Sequence, residues 1–141
     1  MPFFPTFVRI ISGKHKGKIL SAPKKLPVRP TTDMAKEAIF NILENRYFLG
    51  NKKVLDLFSG TGNIAFEFAS RGCEDITAID QNFHCTKFIS KIAEELNYNM
   101  DVKKMDCIDF LEKTKSDFDI IFADPPYNFE YYQKLKDNIF D

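Results

Sequence analysis

The chain has 141 residues, 44% apolar and 28% charged, with 20 basic and 20 acidic side chains and a formal net charge of zero. That length and apolar share suit one globular domain with its own core, and no apolar run approaches the ~20 residues of a membrane span. The opening Met-Pro-Phe-Phe-Pro lacks the charged start of a secretory signal, so the expected location is cytoplasmic.

The charge is sorted along the chain. Residues 1–32 hold Arg9, Lys14, Lys16, Lys18, Lys24, Lys25 and Arg29 with no acid, a charge of +7, which leaves 13 basic against 20 acidic residues, −7, in the remainder. Such a split describes a basic arm for a polyanion joined to an acidic body, although the same lysines would also solvate a surface strand pair. Within the arm, "VRIISGKHKGKIL" predicts a hairpin with strands over residues 8–11 and 18–20 and a turn containing Gly13 and Gly17. Its tip presents Lys14 and Lys16 to phosphates, with His15 as a polar tip residue that has no partner nearby in sequence. "APKKLPVRPTT" then reads as a linker, because Pro23, Pro27 and Pro30 oppose helix.

From residue 32 the pattern alternates between helix and strand. Thr32 can cap a helix over residues 33–46, where Ala35, Ala38, Ile39, Ile42 and Leu43 recur at the spacing of one inward face. A strand over 53–58, a glycine turn, a helix over 63–71 ended by Gly72 and a strand over 76–79 follow. A helix over 83–96 turns Phe88, Ile89, Ile92 and Ala93 inward, and a strand over 101–105, a helix over 108–113 and a strand over 119–123 complete the series. Repeated strand, helix, strand units predict an α/β fold, a Rossmann-like parallel sheet with helices on both faces. The expected organisation is an arm and linker over residues 1–30 and a domain built on this sheet over residues 31–141. Cys73, Cys85 and Cys107 form neither a C-x-x-C pair nor a cluster with histidine, which favours buried free thiols over a metal site or disulfides.

The first chemical constellation is "VLDLFSGTGNIAFE". Gly60 and Gly62 permit a tight turn and a close approach of backbone to ligand, and the helix that follows aims its free N–H groups at that ligand. Asp80, eighteen residues beyond Gly62, is placed to accept from ribose hydroxyls. "GTGNIA" also satisfies G-x-G-x-x-G/A, so a dinucleotide oxidoreductase stays open at this point. Asp56, four residues before Gly60, argues the other way: its carboxylate would repel a pyrophosphate and suits the ammonium of an amino-acid-bearing nucleoside such as S-adenosylmethionine. Asp106, after the third parallel strand, is either an acceptor for an adenine amino group or a solvated strand-end residue.

The second constellation is "FDIIFADPPYNFEYY". Two successive prolines end strand pairing at a fixed point, and the switch point of an open parallel sheet brings Asp124, Pro125, Pro126 and Tyr127 toward the glycine loop. An amino group on a planar base is a poor nucleophile, since its lone pair is delocalised into the ring. If the Asp124 carboxylate and the Pro125 carbonyl each accept one of its hydrogens, that lone pair can be directed at an electrophilic methyl. Pro126 stiffens the corner, and Tyr127 offers a ring for the base to stack on, worth about 1 to 3 kcal/mol.

Together "DLFSGTG", Asp80, Asp106 and "DPPY" resemble the class I S-adenosylmethionine-dependent methyltransferases that modify exocyclic amino nitrogens. "RIISGKHKGKIL", "VRPTTDMAKEAIFNIL" and "DLFSGTGNIAFEFASRG" resemble more closely the bacterial family that methylates guanine N2 in small-subunit ribosomal RNA, over about residues 9–127. The resemblance implies cofactor contacts at Asp56, Phe58, Ser59, Gly60, Thr61, Gly62, Asp80 and Asp106, and catalysis at Asp124, Pro125, Pro126 and Tyr127. It implies RNA contacts at Arg9, Lys14, Lys16, Lys18, Arg29 and Thr31, small-subunit RNA or the small subunit as partner, and no metal.

The family pattern continues beyond the fourth parallel strand with further strands, whereas only fourteen residues follow Tyr127. The expectation is a sheet truncated after that strand. Three classes of function follow: the RNA amino-methyltransferase, which accounts for the loop, the acids, the corner and the arm together; a noncatalytic RNA-binding remnant; and the oxidoreductase, which accounts only for the loop and Asp80. A DNA adenine methyltransferase would use a related corner but leaves the arm unexplained.

Overall fold

The computed structural model describes residues 6–22, 32–125 and 132–140. The arm forms an antiparallel hairpin of β1 (Thr6–Arg9) and β2 (Ile19–Ala22), with Val8 opposite Leu20 and Arg9 opposite Ile19. Strand alternation sends Val8, Leu20 and Ala22 into the core and leaves Phe7, Arg9 and Ile19 exposed. β1 ends at Arg9 rather than at residue 11, and the reason is chemical. The Ile11 and Ser12 N–H groups leave the ladder to donate to the Glu67 carboxylate at 2.9 and 3.1 Å.

Helix α1 (Asp33–Arg46) begins where expected, its Thr32 hydroxyl accepting from the Ala35 N–H at 3.2 Å. Its inward face is not the expected one. Ala35, Ala38 and Ile42 are exposed, and the buried stripe runs through Lys36 and Phe40, with Ile39 and Leu43 half-buried. Apolar periodicity assigned Lys36 to water, but a carboxylate waiting on the next helix rotates α1 to bury it.

After a short 3-10 turn (Leu49–Asn51), β3 (Lys53–Asp56), β4 (Asp75–Asp80), β5 (Met100–Lys104) and β6 (Ile120–Phe122) form a parallel sheet in the order β5-β4-β3-β6. Its crossovers are α2 (Asn63–Ser70), α3 (Phe83–Glu95) and α4 (Cys107–Lys113), and α5 (Tyr132–Phe140) follows β6. Successive strand residues face opposite sides, so Val54, Ile76 and Ala78 pack with Phe40, Phe66, Phe68, Ile89 and Ile92, while Leu55, Leu57 and Ile79 pack with Ile108, Phe110 and Leu135. Helices cover both faces, as the sequence pattern requires, and the inward side of α3 is the expected one.

Every residue of α2 is buried. A helix closed to water all round must be covered on both sides: the sheet lies on one, and the hairpin and α1 lie on the other. Phe68 of α2 meets Phe40 of α1 edge-on with centroids 4.6 Å apart, and the Arg71 guanidinium lies 4.8 Å from the Phe40 centroid. Burial of each such ring is worth about 2 to 3 kcal/mol. All three cysteines are buried and free, and burial pushes the Cys85 and Cys107 thiols up to about 12 and about 11, which keeps them as unreactive thiols.

Candidate cofactor and substrate site

The strand order places β3 between β4 and β6, so crossovers leave β3 in one direction and arrive from the other. Ligands of open parallel sheets lie at the carboxyl ends of the strands at such a switch point. Here that edge carries Asp56 at the end of β3, Asp80 at the end of β4, Asp106 just beyond β5 and Asp124 just beyond β6.

Between β3 and α2 the chain turns through Phe58, Ser59, Gly60, Thr61 and Gly62. Ser59 N–H donates to the Ile79 carbonyl at 3.1 Å and Gly62 N–H to the Ser59 carbonyl at 2.7 Å, which ties the turn to β4 and to itself. Gly62 caps α2 at φ +83, and a Cβ there would come within 2.6 Å of the Phe66 ring. Only glycine fits. The N–H groups of the first turn of α2 therefore open toward the sheet edge.

Asp80 does not simply wait for a ligand. Its Oδ2 accepts from Gly60 N–H at 2.9 Å and its Oδ1 from Asn82 N–H at 2.8 Å, so the carboxylate shapes the glycine turn from the neighbouring strand. Each oxygen keeps a second lone pair for a further donor. Asp106 is the N-cap of α4, its Oδ2 accepting from Ile108 and Asp109 N–H, both at 3.1 Å. This capping duty was not among the roles expected for it, and a cap at this position typically stabilises a helix by about 1 kcal/mol.

Asp56 is the anomaly of the site. It is 1% exposed, and neither carboxylate oxygen has a hydrogen-bond partner among the described residues. The adjacent Ser59 hydroxyl is committed to the Asp56 backbone carbonyl at 2.9 Å. Burial pushes the carboxyl up to about 7; the nearby Ser59 hydroxyl lowers it in part, the Asp80 charge raises it further, and the Ala65 and Phe58 amides offset little of this. A buried polar group without a partner is costly and calls for an explanation. An arriving cation with N–H donors would supply one.

On the other side of β3, Phe122 of β6 is in register with Asp56, and its carbonyl accepts from Leu57 N–H at 3.0 Å. Asp124, two residues further, is exposed and Pro125 is half-buried. The start of the proline corner thus leaves the sheet beside the strand that leads into the glycine turn. Pro126 and Tyr127 lie outside the described residues, as do Arg29 and Thr31.

Of the remaining expected RNA contacts, Lys14, Lys16 and Lys18 are exposed and make no ion pair among the described residues, whereas Arg9 sits 3.8 Å from Asp33 in an exposed pair. His15 is more than a tip residue. Its Nδ1 meets the Tyr98 hydroxyl, its N–H donates to the Ser70 hydroxyl at 3.0 Å, and burial followed by the Lys14 and Lys18 charges holds its pKa below the ordinary value. The sequence reading also missed the buried charges Lys36, Glu67 and Arg71. The available signal was a lone charge, Glu67, amid the apolar run of "NIAFEFAS" and a lysine four residues before Phe40 on the same helix stripe.

The family model described as conserved hypothetical protein 95 matches residues 8–140. The chain belongs to this family, that of ribosomal RNA small subunit methyltransferase D. Family relatives include the Bacillus subtilis protein named "Putative rRNA methyltransferase YlbH", 38% identical over 134 residues, covering 92% of this chain and 70% of the relative. Another is ribosomal RNA small subunit methyltransferase D of Buchnera aphidicola, 34% identical over 123 residues, covering 86% of this chain and 62% of the relative. The chain spans 43% of a 41% identical Rickettsia prowazekii methylase, and so about two fifths to seven tenths of these family proteins. Among solved structures, the "Putative methyltransferase yhhF" of Escherichia coli superposes with a TM-score of 0.84 at 26% identity, over 96% of this chain and 73% of that one. A T. thermophilus 16S rRNA N2 methyltransferase, solved with AdoMet and guanosine, shares the fold with a TM-score of 0.73 at 18% identity, over 96% of this chain and 38% of that one. The fold is that of the class I methyltransferases.

Proposed function

We propose that the site transfers a methyl group from S-adenosylmethionine to the exocyclic N2 amino group of a guanine in small-subunit ribosomal RNA. The observation that carries this reading is Asp56, a buried carboxylate whose oxygens meet no donor at hydrogen-bond geometry among the described residues, beside a glycine turn at the sheet switch point. It suits an α-ammonium and opposes the pyrophosphate that an oxidoreductase of this fold would bring to the same turn. Family membership supports the same chemistry, since relatives carry the name of ribosomal RNA small subunit methyltransferase.

When bound, S-adenosylmethionine supplies an electrophilic methyl group. Asp56 would hold the ammonium, Ser59, Gly60, Thr61 and Gly62 would line the amino-acid and ribose portion with Phe58 at its margin, and the free lone pairs of Asp80 would accept from ribose hydroxyls. The uncapped oxygen of Asp106 is left for an adenine amino group. Asp124 and the Pro125 carbonyl accept the two hydrogens of the target amine and aim its lone pair, and Tyr127 stacks on a base splayed from the RNA. Lys14, Lys16 and Lys18, with Arg9, Arg29 and Thr31, supply phosphate and backbone contacts that position without reading sequence.

The test is a calorimetric titration of the chain with S-adenosylmethionine and with a nicotinamide dinucleotide, followed by methyl transfer to unmethylated small-subunit RNA or particles and nucleoside analysis of the product. N2-methylguanine is the expected product. Binding of the dinucleotide in place of S-adenosylmethionine would overturn the reading, and RNA binding without transfer would favour a noncatalytic RNA-binding role.

A further inference from the structure

The roof of α2 contains three charges that take no part in the proposed chemistry. Lys36, Glu67 and Arg71 have side chains 0, 0 and 3% exposed; Lys36 Nζ lies 3.3 Å from Glu67 Oε1 and Arg71 Nε 2.7 Å from Glu67 Oε2. A buried ion pair is a weak stabiliser, because desolvation offsets the attraction and apolar residues of similar volume often serve as well. These ions do something apolar residues cannot: they hold backbone. Glu67 accepts from the Ile11 and Ser12 N–H groups of the hairpin, and Lys36 donates to the Arg9 carbonyl of the hairpin and, at 2.7 Å, to Asn63 Oδ1 beside the glycine turn.

The hairpin is pinned a second time at the far end of α2. Lys14 N–H donates to the Ser70 carbonyl at 2.7 Å, and the Ser70 hydroxyl donates to the Ser12 carbonyl at 2.7 Å and accepts from His15 N–H. A Cβ on Gly13 would collide with the Ser70 carbonyl, so the tip lies directly on the helix end. The span from Gly62 to Ser70 is about 12 Å at ~1.5 Å rise per residue. One short helix therefore sets the separation between the glycine turn and the lysines of the tip.

We propose that Lys36 and Glu67 are positioning residues: they fix the basic hairpin at a set span from the transfer site, so that phosphates held by Lys14 and Lys16 bring the target base to Asp124. This rests on the RNA-methyltransferase reading above. The lysine side chains at the tip stay free for phosphate because the acid that anchors the hairpin binds its backbone.

Two double variants with the same change in charge separate positioning from packing. Lys36→Met with Glu67→Leu removes the acceptor of the hairpin amides, whereas Lys36→Met with Glu67→Gln retains one carbonyl oxygen that can accept. In the leucine variant, amide exchange at Ile11 and Ser12 should accelerate and KM for small-subunit RNA should rise about tenfold or more, the scale of a lost hydrogen bond to a charged group. Its kcat at saturating RNA and its S-adenosylmethionine affinity should match those of the glutamine variant, which shares the loss of the Lys36 bond to Asn63 and should recover most of the KM. Gly13→Ala, which lifts the tip from Ser70 while keeping all three ions unsubstituted, should raise KM in the same way and serves if the leucine variant does not fold. Freed amides with an unchanged RNA KM would overturn the inference, as would KM, kcat and cofactor affinity worsening together. A wild type that neither binds nor methylates the RNA would instead sink the functional reading, and with it this inference, before any substitution is compared.

Discussion

Asp56→Asn changes charge and almost no volume, and the structure predicts opposite effects on stability and on binding. In the free protein the Asp56 carboxyl is raised from 3.8 to about 7 by burial, so between those values the folded state holds a proton that the unfolded state has lost. Stability then falls as pH rises: the penalty is absent below about pH 4 and complete above about pH 7. At 1.36 kcal/mol per pKa unit the difference amounts to about 4 kcal/mol. Asparagine does not titrate, so the variant escapes this slope, while its buried amide adds a roughly constant offset of about 1 to 3 kcal/mol. Urea unfolding of both proteins in steps from pH 4.5 to 8.5 gives a difference curve in which titrating groups not coupled to Asp56 cancel, and it should rise in favour of the variant by about 3 kcal/mol over that range, the first part of the effect lying below pH 4.5. S-adenosylmethionine affinity should move the other way. The wild type should bind more tightly as pH rises toward 7 and the carboxylate forms, until the ligand ammonium, with an α-amino pKa of about 8, begins to lose its charge. The variant should bind weakly throughout. A flat difference curve would mean that Asp56 is solvated or paired in the folded protein, and undiminished affinity in the variant would remove it from the cofactor site.

Asp80→Ala should weaken S-adenosylmethionine binding by about 1.5 to 3 kcal/mol, the range for hydrogen bonds to a charged acceptor; unchanged affinity in a folded variant would confine Asp80 to holding Gly60 and Asn82. RNA affinity should fall with salt along a log–log slope of about −3.5 if roughly five basic residues meet phosphates, and charge reversal at Lys14 and Lys16 should flatten that slope without altering cofactor affinity. A slope that ignores these two lysines would return them to the role of solvating a surface hairpin. Asp124→Ala should abolish methyl transfer while sparing S-adenosylmethionine affinity, and Tyr127→Phe, which keeps the ring, should be milder than Tyr127→Ala; normal turnover in a folded Asp124→Ala variant would show that the corner does not direct the amine.

The parallel sheet was legible because its strands and helices obey local rules. Runs such as "DIIFA" and "DITAI" lie between amphipathic helices, and a turn with glycine at both Gly60 and Gly62 leaves little alternative to a strand-to-helix crossover. The acids at the strand ends were legible for the same reason, because strand order fixes which ends share an edge. Their partners were not. Asp106 as a helix cap needed only the boundary of α4 to be placed one residue earlier, at Cys107 instead of Ile108, whereas one of the two backbone donors to Asp80, the Gly60 N–H, comes from a turn twenty residues away. The misplaced face of α1 has a single cause: periodicity treats lysine as solvent-facing, and only the position of Glu67 on a different helix makes burying Lys36 worthwhile. The same glutamate, 56 residues from Ile11, ends β1 early. No window along the chain contains both groups.

The division of charge along the chain takes a more specific form in the fold. A basic arm beside an acidic body invites the simplest outcome, in which the body's carboxylates neutralise the arm's lysines and hold it down. The structure does otherwise. The acid that grips the hairpin, Glu67, is answered by the body's own Lys36 and Arg71 and by hairpin N–H groups, and the arm's only ion pair among the described residues is the exposed Arg9 with Asp33. An exposed pair at 3.8 Å contributes little and is readily exchanged for another anion. Anchoring through backbone costs the hairpin none of its lysines, so Lys14, Lys16 and Lys18 remain in water with their charge uncommitted. Had the lysines themselves held the arm in place, each phosphate contact would first have had to break an internal ion pair. A fixed arm and a free charge are compatible here because one is built from amides and the other from side chains.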